Sequence, residues 1–371
     1  MVLHVFNPEH DIALAAHLAN FTAPHAARQL RYDLGWIPAL WTAESDAVLV
    51  DDKQFSTDAW SRFRSHSHLR PKAAPPTFVE AKELGDLHIE RVEPWGWDLA
   101  LRALLIRKNV DQLLLPDDKA LEHARLLSNR RLAATLLPLL RREGTTGEAF
   151  ICTADSEIIS LSERYGQVVI KAPWSSSGRG LRFFDIRRES LQVHGGWLRN
   201  TITSQGAVMV EPYYNKVMDF GMEFNADAQG RVSFLGLSLF HTKNGAYTGN
   251  IIATEERKRE LLSHYLPLSL VDQTAADIVL HAGRLLKGYQ GPFGVDMMVI
   301  ASASVQSEVC ANLLHPCVEL NLRRTMGHVA LDLLHWCNPT SDNDIQNVMR
   351  IELSDHYRLK LERLQLKSEN V

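Results

Sequence analysis

Hydrophobic positions in the first hundred residues fall in short blocks of two different periods. Val2 to Phe6 is an apolar strand that breaks at Asn7-Pro8, and a helical pattern follows from about Ile12 to Leu18. Asn7 ahead of Pro8 fits a helix N-cap followed by proline at the first helical position. A second helical stretch covers about Pro24 to Leu34, with Pro24 in its first turn, and Ala47 to Val50 is the next strand. Strand alternating with helix predicts a parallel sheet. Residues 65–76, with Pro71, Pro75 and Pro76, read as a loop. Glu93-Pro-Trp-Gly-Trp-Asp98 leads into an apolar helix, Leu99 to Ile106, and Gln112 to Leu115 reads as a strand closed by Pro116-Asp117.

Residues 118–142 are helical, with a break at Ser128-Asn129 where Asn129 caps a helix from Arg130 to Leu140. From about residue 149 the period becomes two. Strands are predicted at 168–172, 181–185, 207–210, 222–226 and 232–239. An amphipathic helix spans about Val271 to Leu286, and Phe293 to Ile300 with Cys317 to Leu322 forms a hairpin-like pair. The tail from about residue 342 reads as a charged, solvated helix. There is no internal repeat or low-complexity tract.

Composition narrows the function classes. The chain has 371 residues, 45 % hydrophobic and 23 % charged, which suits two or three globular domains with a core that needs no metal or disulfide staple. A net charge of −4 gives no bulk attraction to nucleic acid or a membrane surface. Cys152, Cys310, Cys317 and Cys337 are scattered, without zinc-site spacing, and read as reduced, buried thiols. The N-terminus lacks a secretory pattern and no apolar run is long enough to span a bilayer, so the expected location is the cytoplasm.

Two segments carry chemistry. In Val168-Val-Ile-Lys-Ala-Pro-Trp-Ser-Ser-Ser-Gly-Arg-Gly-Leu181 an apolar strand bears one lysine, Lys171, which needs an anion if it is buried. The loop Ser175-Ser-Ser-Gly-Arg-Gly180 then offers hydroxyls and open backbone N–H groups to phosphate oxygens. A Walker pattern is absent, and the strand-like Leu181-Arg-Phe-Phe-Asp185 excludes the dinucleotide loop, which needs a helix there. Alone, the loop reads equally as a hairpin turn. In Cys317-Val-Glu-Leu-Asn-Leu-Arg-Arg-Thr-Met-Gly327, Glu319, Asn321 and Arg323 share one strand face, while Val318, Leu320 and Leu322 share the other. Hard oxygen ligands beside a guanidinium suit a magnesium–phosphate site, with Asp296 completing the ligands. The alternative is the solvent face of an edge strand.

The order of these pieces over about residues 120–335 resembles the ATP-grasp superfamily, and the E-x-N-x-R ending resembles its biotin-carboxylase and carbamoyl-phosphate-synthetase branches. The resemblance implies a mixed α/β and α+β fold. A parallel-sheet domain at 1–118 would precede a two-part ATP-grasp fold: a nucleotide-binding part with its leading helices at 119–211 and a metal-bearing part at 212–371. It implies ATP as cosubstrate with magnesium or manganese. Lys171 would contact phosphates beneath Ser175, Ser176, Ser177, Gly178 and Gly180. Glu211, Tyr213 and Tyr214 of Met209-Val-Glu-Pro-Tyr-Tyr214 would form the hinge at the adenine. Glu223 would hold the ribose, with Asp219 competing for that role. Arg130, or Arg131, would reach phosphate; Asp296, Glu319 and Asn321 would bind the metal; and Arg323 would stabilise the transferred phosphoryl group.

The polar segment Phe240–Asn250 offers His241 and Lys243 as substrate contacts, or is a surface loop, and Arg324 joins that candidate set. Asn7-Pro-Glu-His-Asp11 lies where the first strand meets the first helix, a position where parallel sheets bind ligands. Glu9, His10 and Asp11 could hold an amine or hydroxyl there, or Asn7 and Asp11 only cap the helix. The expected activity is a ligase joining a small-molecule carboxylate to an amine or related nucleophile through an acyl phosphate. A phosphotransferase and a non-catalytic ATP-binding regulator are the alternatives. Oligomeric state is not encoded in these signals.

Overall fold

The structure, a computed structural model, describes residues 1–65, 69, 76–175, 180–243, 246–301, 312–337 and 345–365. Its first layer is a parallel sheet of β1 (Val2–Val5), β2 (Ala47–Val50), β3 (Thr77–Glu80) and β4 (Arg91–Pro94), ordered β3-β2-β1-β4. Helices α1 (His10–Ala16), α2 (His25–Leu34), α3 (Lys53–Arg64) and α4 (Leu99–Arg107) connect and cover it. Asp52 and Asp98 cap α3 and α4 by accepting from Phe55 N and Leu101 N. Helices α5 (Asp118–Leu127) and α6 (Arg131–Leu136) follow, and Asn129 Oδ1 accepts from Arg131 N at 2.9 Å, so the break is capped where expected.

A small antiparallel sheet holds β5 (Phe150–Cys152), β6 (Gln167–Lys171), β7 (Leu181–Asp185) and β8 (Val208–Pro212), ordered β5-β8-β6-β7, with α7 (Asp155–Tyr165) and α8 (Gly195–Gln205) against it. The third sheet is built from β9 (Lys216–Ala226), β10 (Val232–Lys243), β11 (Ala246–Ile252), β12 (Gly291–Ile300), β13 (Leu313–Asn321), β14 (Ile345–Leu353) and β15 (Tyr357–Gln365). Its order is β13-β12-β9-β10-β11-β14-β15, all antiparallel. Helices α9 (Glu255–Ser263) and α10 (Leu268–Leu285) lie between β11 and β12 in the chain, and α11 (Met326–Leu334) lies between β13 and β14. α10 buries Val271, Ile278 and Ala282 in the core that also holds Phe220, Met222 and Phe224 of β9, which accounts for the long amphipathic stretch.

Three expectations need correcting. Gln112–Leu114 is a 3-10 turn, not a strand: Asp111 accepts from Leu113 N, and Leu113 is 92 % exposed. The tail is not a helix, since β14 and β15 pair as a hairpin around Ser354-Asp355-His356. Met349, Leu359 and Leu361 face inward while Arg350 pairs with Glu362 and Lys360 with Glu352, a period of two that charged residues disguise. Asn7 does not cap α1. Its amide ties β1 to the loop after β4, donating to Gly96 O at 2.8 Å and Asp98 Oδ2 at 3.1 Å and accepting from Gly96 N at 3.3 Å. Among the described residues no helix is long and apolar enough to cross a membrane.

Candidate active site

The sheet of β9, β12 and β13 has one apolar and one acidic face. Phe220, Met222, Phe224, Phe293, Val295 and Leu320 point into the core. Across the register Asp296 opposes Glu319 and Gly221, and Gly294 opposes Asn321 and Glu223, so Glu223, Asp296, Glu319 and Asn321 share the other face. Asn321 Nδ2 donates to Asp296 Oδ2 at 3.0 Å. Burial, then the neighbouring Glu319 and Glu223 carboxylates, pushes Asp296 up to about 8. No group of three His, Cys, Asp or Glu side chains with metal-site geometry occurs among the described residues, so the candidate ligand set is two carboxylates and one amide. Crowded carboxylates with an oxygen-bearing amide fit a hard divalent cation.

Arg130 joins this face to the small sheet. Its Nη2 donates to Glu319 Oε1 at 2.7 Å, and its Nη1 donates to Ala172 O and Ser175 Oγ, both at 2.6 Å. Arg131, the alternative, is exposed. Lys171 is 7 % exposed and donates to Glu211 Oε2 at 2.6 Å across β6 and β8. The small-residue loop is closed at its base by Ala172 N donating to Gly180 O at 2.9 Å. A Cβ on Gly180 would lie 2.2 Å from Ser175 Oγ, so the closure requires glycine there. Ser176, Ser177 and Gly178 lie outside the described residues. Asp11, Ser128, Arg130, Ser175, Glu319 and Asn321 line one cleft.

Sequence reasoning missed His315. It stands on β13, is 1 % exposed, and neither ring nitrogen has a partner among the described residues. Burial, then the nearby Lys171 ammonium, drops it to about 3. Tyr214 lies edge-on to its ring at 5.5 Å, and burial pushes the phenol up to about 12. Cys317 is buried two residues on, its thiol pushed upward by burial and then by Glu211 and Asp296. One strand therefore feels Lys171 and Glu211 from one sheet and Asp296 from the other. The alternation His315-Pro-Cys-Val-Glu319 was the available signal. Tyr213 is half exposed and meets Phe183 edge-on at 6.0 Å.

Arg323 does not hang free. Its Nε and Nη2 grip the Asp11 carboxylate at 2.9–3.1 Å, and Nη2 also donates to Asn321 Oδ1 at 3.0 Å. Burial alone would raise Asp11, yet Arg323 holds it below the usual carboxylate range. Beside it, His10 Nδ1 lies 3.2 Å from Asp98 Oδ2, with both side chains 3 % exposed. His10, Arg323 and Arg324 line a cavity of about 770 Å³ shared with Trp41, Trp95 and Tyr289. Arg324 pairs with Asp332 at 2.6 Å and lies 4.1 Å over the Trp41 ring. His241 is exposed on β10, three strands from β13, and lines neither this cavity nor the cleft. The Lys243 side chain lies outside the described residues.

Glu223 is nested, not open. Thr325 Oγ1 donates to its Oε2 at 2.8 Å, and His328 Nδ1 lies 2.9 Å from the same oxygen. A Cβ on Gly327 would lie 1.8 Å from Oε1, and one on Gly294 would lie 2.7 Å from Oε2. Asp219, the competing residue, is engaged by Lys216 and Thr242.

No protein-family model and no curated protein matches the sequence. Among solved structures, biotin carboxylase from Campylobacter jejuni in a β,γ-ATP complex is similar at 13 % identity, covering 94 % of this chain and 75 % of that one, with a TM-score of 0.50. N5-carboxyaminoimidazole synthetase from Staphylococcus aureus with ADP is similar at 12 % identity, covering 95 % and 82 %, with a TM-score of 0.45. A chain from Archaeoglobus fulgidus, provisionally described as an ATP-grasp superfamily protein, is similar at 12 % identity, covering 98 % and 100 %, with a TM-score of 0.48. A parallel N-terminal sheet, a small antiparallel sheet carrying a buried lysine, and a large antiparallel sheet with one acidic face together give this chain the ATP-grasp fold.

Proposed function

We propose that the protein is an ATP-dependent ligase that activates a small-molecule carboxylate as an acyl phosphate and passes it to an amine or related nucleophile. The observation that carries this reading is Arg130, hydrogen-bonded at once to the small-residue loop and to Glu319. It joins a buried lysine layer and an acidic layer at one cleft, the arrangement a triphosphate with its cation needs. Lys171 would meet phosphate oxygens, and Glu211 and Tyr214 would border the base. Asp296, Glu319 and Asn321 would hold magnesium, which would neutralise charge on the phosphates. Arg323, steadied by Asp11, faces the cavity where the acceptor would sit.

In the reaction, a substrate carboxylate oxygen attacks the γ-phosphorus and ADP leaves. The nucleophile then attacks the acyl carbon, and phosphate leaves. A protonated amine must lose a proton in that second step. His10 is suited to accept it, because with Nδ1–H given to Asp98 its Nε2 is free on the cavity side. No enzyme nucleophile is required, and rate comes from positioning and electrostatics.

The test is ADP release over a panel pairing amino acids, hydroxy acids and bicarbonate with amine acceptors. A carboxylate-dependent and nucleophile-dependent release of ADP and free phosphate is expected. His10→Gln should then lower turnover by about 10²- to 10⁴-fold while ADP and MgATP binding are retained. Phosphorylated product without free phosphate would show a phosphotransferase. Nucleotide binding with no ADP release across the panel would show a non-catalytic binder.

A further inference from the structure

A second cavity, of about 250 Å³, lies wholly within the N-terminal layer. It opens over the carboxyl ends of β1 and β2, between α2 and α4. β1 is where strand order reverses, with β2 on one side and β4 on the other, the position at which open parallel sheets hold ligands. Val5, Phe6, Leu49, Leu101 and Leu104 give it apolar walls.

Its polar groups are divided by charge. On the inner wall Glu9 is 8 % exposed; Oε1 accepts from Arg31 Nη1, while Oε2 is buried with no partner among the described residues. Arg31 is also gripped by Asp51, its Nε donating to Oδ2 at 3.0 Å. Two carboxylates thus share one guanidinium, and the inner wall is left negative. On the rim, Arg28 and Arg107 are exposed, and neither side chain has an ion-pair or hydrogen-bond partner among the described residues. An unpaired buried carboxylate oxygen is costly, and burial, opposed by Arg31, pushes Glu9 upward.

We propose that this cavity is a binding site for a small amino acid, whose ammonium meets Glu9 and whose carboxylate meets Arg28 or Arg107. The inner wall calls for a cationic donor, the rim for an anion, and the apolar walls for the hydrocarbon part of the ligand. The volume, below the roughly 300 Å³ typical of pockets for drug-sized ligands, suits a small ligand. The inference stands apart from the ATP chemistry, because none of these groups lines the cleft between the two antiparallel sheets.

The test is calorimetric titration of the full chain with the standard L-α-amino acids and, as a separate arm, ω-amino acids of increasing length, each with and without MgATP. Binding by at least one amino acid is expected, together with no binding by the corresponding amine lacking the carboxylate. Affinity should fall about tenfold or more in Arg28→Ala/Arg107→Ala and in Glu9→Gln, with MgATP affinity unchanged. The arginine pair is exposed, so its removal leaves the fold intact. Failure of every amino acid to bind the wild-type chain, or binding that survives loss of the arginine pair, overturns the proposal.

Discussion

Lys171 and Glu211 are each about nine-tenths buried and joined at 2.6 Å, so the pair cannot be dissected one residue at a time. Lys171→Met leaves an uncompensated buried carboxylate and should cost about 3–5 kcal/mol by urea denaturation. Lys171→Met/Glu211→Leu should recover most of that stability while ATP binding stays lost in both, which separates folding from function. His315 makes a prediction about acid. Its folded value is about 3 against an ordinary 6.5, so between those pH values the unfolded chain binds a proton that the native chain refuses. Its contribution is full above pH 6.5 and is lost as pH falls through that window. His315→Leu should flatten the dependence of urea midpoint on pH there. Residue types at both chemical segments were legible because polar groups stood alone on otherwise apolar strands. His315 was not, because its local signal, the alternation with Cys317 and Glu319, fits an ordinary core strand equally well.

Glycines decide geometry at the scale of elements. α11 is capped by Thr325, which donates to Glu223, and Gly327 leaves room for that carboxylate. Gly327→Ala forces a Cβ into Glu223 Oε1 and should cost about 1–3 kcal/mol, read from the thermal midpoint, with no change in helix content by circular dichroism. β12 and β13 could be read from the sequence because apolar and acidic positions alternate cleanly. β14 and β15 could not, because Arg350, Glu352, Lys360 and Glu362 look like helical ion pairs until the partner strand shows them to be cross-strand neighbours. The 3-10 turn at Gln112–Leu114 is hidden for the same kind of reason: a short apolar run has the same appearance whether or not anything covers it.

For the whole molecule, the decisive contacts are long-range and so invisible to local pattern. Asp11 and Arg323 are 312 residues apart and fasten α1 to the segment two residues beyond β13, which carries the candidate metal ligands Glu319 and Asn321. Asp11→Asn should cost about 1–3 kcal/mol and speed hydrogen exchange in α1. Asp11 is depressed below its ordinary 3.8, so the lock is complete above that pH and weakens as pH falls through the lower folded value. The protection factors of α1, corrected for the intrinsic exchange rate at each pH, should therefore fall in acid in the wild-type chain and show no such step in Asp11→Asn.

The claim on which the account rests is that the lysine layer and the acidic layer hold one triphosphate between them. A crystal structure with magnesium and a non-hydrolysable ATP analogue measures this directly. The account predicts phosphate oxygens within hydrogen-bond distance of Lys171 Nζ and a cation bound by Asp296 and Glu319. A nucleotide seated elsewhere, with Lys171 still closed on Glu211 and no cation between the two carboxylates, would contradict it.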